Sequence, residues 1–233
     1  MPYRRLPNTD QARLRALRKA IEEGRRFSGP DMPFSYKSLH DAKMFLNDFE
    51  KALSQYQSAL KTQITSSKRY QQVIKNARLY ISHFIQVLNL AVIRGEIKKE
   101  HKAYYSLPED NYAVPDLSTE AALLTWGNQL ITGEEERQKL NGVPMYNPSI
   151  AKVKIHFGIF RENKINQKVL QQNTVRYLEI VSEIRQRGDL IIQEIWNQVE
   201  AKFAALPPHE RLQKCETLGI IYYYRKGEKE LDK

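Results

Sequence analysis

The chain has 233 residues, 41% of them hydrophobic and 27% charged, and carries a net charge of +10. That apolar share suffices for a core and excludes wholesale disorder, and only ten glycines and ten prolines favour long elements over many short strands. One cysteine, Cys215, excludes an internal disulfide. No Cys/His spacing suits zinc, so neither a metal nor a cofactor is expected. The basic N-terminal residues run into Asn8, Thr9 and Asp10 without an apolar segment, which does not read as a signal peptide. Together with the lone cysteine this sets the expected location as cytoplasmic.

Charge is uneven along the chain. Residues 1–30 carry 8 Lys/Arg against 3 Asp/Glu, and residues 66–106 carry 8 against 2. Residues 107–148 reverse the balance, with 2 against 7. Such asymmetry suits either nucleic acid or an acidic partner, or simply a solvated surface.

The first predicted helix opens at Asn8 or Thr9, where Asp10 complements the positive helix end and Gln11 completes a loose capping box. Leu14, Leu17 and Ile21 form its apolar stripe, and Ser28-Gly29-Pro30 breaks the chain after residue 26. Leu39, Ala42, Leu46, Phe49, Leu53, Tyr56 and Leu60 then alternate by three and four, a sustained heptad seam that predicts a helix over 36–62. The polar run Thr62–Ser67 reads as a turn, with one continuous helix as the alternative. The next helix is predicted over 67–94. Its Leu79–Ile93 stretch is apolar nearly all round but too short and too interrupted to span a bilayer.

Residues 96–117 form a connector bearing Tyr104, Tyr105 and Tyr112. Ser118 is placed as the cap of a helix over 118–132, and Gly133 and Asn141-Gly142 punctuate the stretch after it. Asn147-Pro148 resembles an N-cap with proline at the first helical position. Residues 151–160 alternate like a strand, yet the wider three-four spacing of Ile150, Val153, Phe157 and Phe160 favours a helix over 148–168. A last long helix is expected over 171–206, with Gly188 on its seam and Pro207-Pro208 as its stop. The run Ile220–Tyr224 has strand propensity and reads as a short extended tail.

The resulting fold class is all-α: four long antiparallel helices in a bundle, with two short accessory helices. It reads as one domain over 1–233, with halves 1–106 and 116–206. The opening Thr9–Leu14 is echoed by Thr119–Leu124, and Ile21 by Ile131 at the same offset. The echo suggests a pseudo-duplicated helical unit, although shared capping chemistry would produce some of it.

Three strings, Leu6–Leu14, Ile81–Leu90 with Arg94-Gly95-Glu96, and Gly219–Arg225, resemble a family of uncharacterised all-helical bacterial proteins. The resemblance implies a helical bundle and no activity.

No phosphate-binding glycine loop, no nucleophile elbow and no His-Glu-x-x-His motif occurs. The five histidines lack i+3 and i+4 partners, and no Glu-x-x-His suits a di-iron bundle. No catalytic residue is assigned. Two groups remain as candidates. Arg13, Arg15, Arg18, Lys19, Arg25 and Arg26 crowd the first helix and offer a phosphate-binding face, against a reading as a solvated surface. Arg94, His101, Tyr104, Tyr105 and Tyr112 could rim a pocket, against a reading in which the tyrosines pack at the core edge. The expected role is that of a non-enzymatic helical interaction or scaffold protein, whose partner is another protein or a second copy. Nucleic-acid association and a small-ligand site at 94–112 are the alternatives.

Overall fold

The computed structural model describes residues 2–226. Its elements, in order, are β1 (Tyr3–Arg4), α1 (Asp10–Gly24), a 3-10 turn at Gly29–Asp31, α2 (Tyr36–Ile93), a 3-10 helix at Lys99–Tyr105, α3 (Glu120–Lys139), α4 (Ile150–Lys202), α5 (Pro208–Thr217) and β2 (Tyr222–Tyr223). The fold is all-α. The sheet is limited to the antiparallel pairing of Tyr3 with Tyr223 and Arg4 with Tyr222, so the tail read as extended pairs with the N-terminal strand.

The four long helices expected from the sequence are two. Thr62–Ser67 is helical, and α2 runs unbroken for 58 residues. The physical reason is that Thr and Ser cost only tenths of a kcal/mol each inside a helix, about 0.5 by propensity, and neither glycine nor proline interrupts them. Polar groups on the seam also find partners, since Gln167 Nε2 donates to Ser66 Oγ at 2.7 Å. Likewise α4 joins 148–168 and 171–206 into one helix of 53 residues. The 151–160 stretch is helical within it, because three-four spacing lets Val153, Phe157 and Phe160 all reach the core.

Local caps refine the boundaries. Thr9 caps α1, its side chain accepting from the Ala12 N–H. Thr119, not Ser118, caps α3 in the same way, while Ser118 donates to Asp116. The Asn147–Pro148 peptide is cis, and α4 begins only at Ile150. The largest extension is in α3, which continues past Gly133 to Lys139.

The chain divides into two compact units, one from 1–59 with 174–233 and one from 60–173. Each contains half of α2 and half of α4, packed together. In the first, Leu14, Leu17 and Ile21 of α1 meet Phe45, Phe49, Val181, Ile192 and Trp196 around the buried Cys215. In the second, Leu123 and Leu130 of α3 meet Ile81, Phe84, Leu88, Val153, Phe157 and Phe160 around Tyr105. Fully burying one such side chain is worth about 1.5–3 kcal/mol before entropy is counted, so each unit has a core of its own.

The long helices bury matching positions. Ala42 and Val153, Phe49 and Phe160, Tyr70 and Val181, Ala77 and Gly188, Ile81 and Ile192, Phe84 and Ile195, Ile85 and Trp196, and Leu88 and Val199 are pairwise buried at one constant separation in sequence. Close packing leaves no room for a side chain at two buried glycines. A side chain on Gly188 would lie 2.7 Å from the Phe45 ring, and one on Gly127 would overlap the Phe157 ring. Among the described residues no helix is long and apolar enough to cross a membrane.

Candidate functional site

The six cations predicted on α1 are mostly occupied. Arg13 is buried and grips Asp189 with two hydrogen bonds of 2.7 and 2.8 Å. Beside it Arg185 grips Asp10, both bonds at 2.7 Å, and that guanidinium holds the Asp10 carboxyl below its usual value despite partial burial. Arg18 bonds Glu50, and Lys19 and Arg26 both bond Glu23. Arg15 and Arg25 are exposed and make no ion pair among the described residues. Arg15 lines an open cleft of about 380 Å³ against Glu216 and Gly219–Ile221. A phosphate-binding face therefore has two free arginines, where the sequence offered six cations.

The candidate pocket residues diverge. Tyr105 is fully buried. Its hydroxyl donates to Glu134 and accepts from Arg137 Nε at 2.8 Å. Arg137 Nη2 also bonds Glu134, at 2.9 Å, and reaches the Val143 carbonyl at 2.7 Å. Gln138 and the Met145 N–H complete the shell of Glu134. Burial alone would raise the Glu134 pKa, but the hydrogen bonds from Tyr105, Met145 and Gln138 outweigh it and hold the carboxyl low. Burial pushes the Tyr105 hydroxyl well above its ordinary value, and Glu134 adds to the shift. The cluster is a closed ion pair that ties the 3-10 helix and the 143–145 loop to α3. Apart from Arg137 Nη1, its donors and acceptors are spent on one another and on the neighbouring backbone, which suits structure and not proton transfer.

Tyr104 packs beside His101, ring centroids 5.5 Å apart. Tyr112 lies under the buried Lys102 ammonium, 4.2 Å from it, and Asn89 Nδ2 donates to its carbonyl. Lys102 also donates to the carbonyls of Glu109 and Asn111, closing that loop. Burial lowers the Lys102 pKa, and Asp110 partly opposes this. Of the five, Tyr112 edges an open cleft with Lys98–Glu100, and Arg94 and His101 line another. The latter has a volume of about 590 Å³ and sits between the end of α2 and the loop after α3, with Lys98, Arg137 and residues 141–147 as further lining. No group of three or more metal-ligating side chains occurs among the described residues.

No family model, no curated protein and no solved structure matches the chain.

The sequence reading missed Glu134, Arg137 and the 141–147 loop as site-forming residues. A signal existed in Glu134-x-x-Arg137, an i,i+3 pair of opposite charge. It was masked by Gly133, read as a helix end. Gly133 instead admits the neighbouring segment, since a side chain there would lie 2.6 Å from the Tyr104 carbonyl oxygen.

Proposed function

We propose that the protein is a non-enzymatic helical interaction protein, built as a tandem repeat of one short and one long helix. The repeat reading rests on the paired burial of α2 and α4. It extends to α1 and α3, where Arg13, Leu17, Ala20 and Glu23 are buried like Leu123, Gly127, Leu130 and Gly133. It also extends to apolar residues that remain exposed, Met44 with Ile155, Ile64 with Val175 and Leu79 with Leu190. The resemblance to a helical bacterial family agrees with this reading and adds no activity to it.

The single observation that carries the interaction role is the outward face of α4 over residues 151–169. Ile155, Ile165 and Val169 are 59, 68 and 47% exposed there, and Ile159 lies beside them. Ala151, Ile155, Gly158, Glu162, Ile165 and Val169 alternate by four and three, the spacing by which one helix receives another. Space is open above Gly158, so a second backbone can approach closely. Lys152, Arg161 and Lys168 flank the row, whereas Lys154 and Lys164 are already bonded to Glu135 and Glu120.

The occupant this face fits is an amphipathic helix of another protein, with Asp or Glu beside its apolar stripe. Glu162 interrupts the row and Asn166 borders it, which suits a helix that supplies a hydrogen-bond donor and does not suit acyl chains. Photo-crosslinking from position 165 in host cells tests this, with His83 as an exposed control position. The expected adduct maps to an amphipathic helix with acidic flanks. Adducts on nucleic acid, lipid or a second copy, or none above the control, would refute it.

A further inference from the structure

We propose that the cleft between Val87–His101 and Arg137–Asn147 binds a small organic carboxylate with an apolar body. This goes beyond the helical docking role and concerns residues outside the α4 face. The cleft volume of about 590 Å³ falls in the size range of small-molecule sites. Its walls divide by chemistry. Val87, Ala91, Ile97, Val143, Pro144 and Met145 give apolar surface, while Arg94, Lys98, His101 and Arg137 give donors.

The charge of these walls decides the class of ligand. Arg94 is matched by Glu96, with bonds of 2.6 and 3.0 Å, and Arg137 by Glu134. The Lys98 ammonium makes no hydrogen bond or ion pair among the described residues. One uncompensated cation therefore remains, and it calls for a monoanion. A phosphate dianion would keep an unmatched charge beside Glu96.

A second donor is built in. Arg137 is 3% exposed and its Nε and Nη2 are committed to Tyr105, Glu134 and Val143. Among the described residues Nη1 carries no hydrogen bond. It lies beside Gly142, where a side chain would come within 2.8 Å of it, so the glycine leaves this nitrogen clear. Glu134 and Tyr105 fix the guanidinium plane in advance, so no ordering of Arg137 is required on binding. Tyr146, 93% exposed, stands at the rim where it can cover the apolar body of a bound molecule.

Isothermal titration calorimetry of the full chain with sodium octanoate, octanol and octyl phosphate tests the assignment. Octanoate is expected to bind saturably with one-to-one stoichiometry. Octanol, which lacks the charge, should bind roughly tenfold more weakly or worse, and octyl phosphate should also bind more weakly. Lys98→Glu, with helical content unchanged by circular dichroism, should weaken octanoate by roughly tenfold or more. Lys152→Glu, on the α4 face and outside the cleft, should not, so failure here is distinct from failure of the helical docking role. Octanoate heats that do not saturate in the millimolar range, equal affinity for octanol, tighter binding of octyl phosphate, or octanoate affinity untouched by Lys98→Glu would each overturn the proposal.

Discussion

Replacing Gly133 and Gly158 by alanine should shift stability in opposite directions. Both glycines lie inside helices, where alanine is favoured by about 1 kcal/mol on propensity alone. At Gly158 nothing approaches the new side chain within 4 Å, so the gain should appear almost whole, about 0.5–1 kcal/mol. At Gly133 the methyl would sit 2.6 Å from the Tyr104 carbonyl oxygen and 2.7 Å from Tyr105 Cδ1. Neither atom is the free end of a flexible side chain, and Tyr105 is tied to Glu134 and Arg137. Relief requires the 3-10 helix to move off α3. Overpacking costs about 1–3 kcal/mol and a disturbed buried hydrogen bond about 1–3 more, against the gain of about 1, so a net loss of about 1–5 kcal/mol is expected. Chemical denaturation with fluorotryptophan NMR measures it, because Trp126 lies in one unit and Trp196 in the other. The loss should be read at Trp126. A Gly133→Ala protein as stable as the parent would refute the close-approach reasoning.

Glu134→Gln leaves the Arg137 charge buried without its partner and should cost about 3–5 kcal/mol in the same assay, whereas the double change Glu134→Leu with Arg137→Met should cost less. The Asp10 carboxyl is held below its unfolded value by Arg185, so its contribution is present above that unfolded value and is lost as pH falls through the folded one. Solvent at the pair limits the contribution to about 1 kcal/mol, and Asp10→Asn should flatten the fall in urea midpoint between neutral and acid pH by that amount. Cys215 is fully buried, and burial also raises its thiol pKa, so a disulfide reagent should modify the native chain only at the rate at which it opens.

The helical class was legible because Leu39–Leu60 and Val181–Ile195 carry three-four spacing that only a helix can bury on one face. The breaks were less legible. Thr62–Ser67 reads as a turn on local preference, yet its cost is small beside the seam that continues through Tyr70, Ile74 and Ala77. Gly133 reads as an end because its benefit, room for Tyr104, comes from a segment distant in sequence. Arg13 and Arg18 read as free cations because Asp189 and Glu50 lie on other helices. Of the connector residues, the pairing of Tyr105 with Arg137 depends on a loop closure that spacing alone does not encode. Arg94, just past the end of α2, and His101, on the 3-10 helix, line a cleft whose other wall, residues 141–147, is distant in sequence.

The most direct test of the interaction role is crosslinking yield from position 165 with and without Ile155→Asp, in cells expressing equal amounts of folded protein. The substitution leaves the buried seam intact and puts a carboxylate into the apolar row facing an acidic partner. A drop of roughly tenfold or more is expected, since burying one unpaired charge costs several kcal/mol. Equal yields would contradict helical docking on this face of α4.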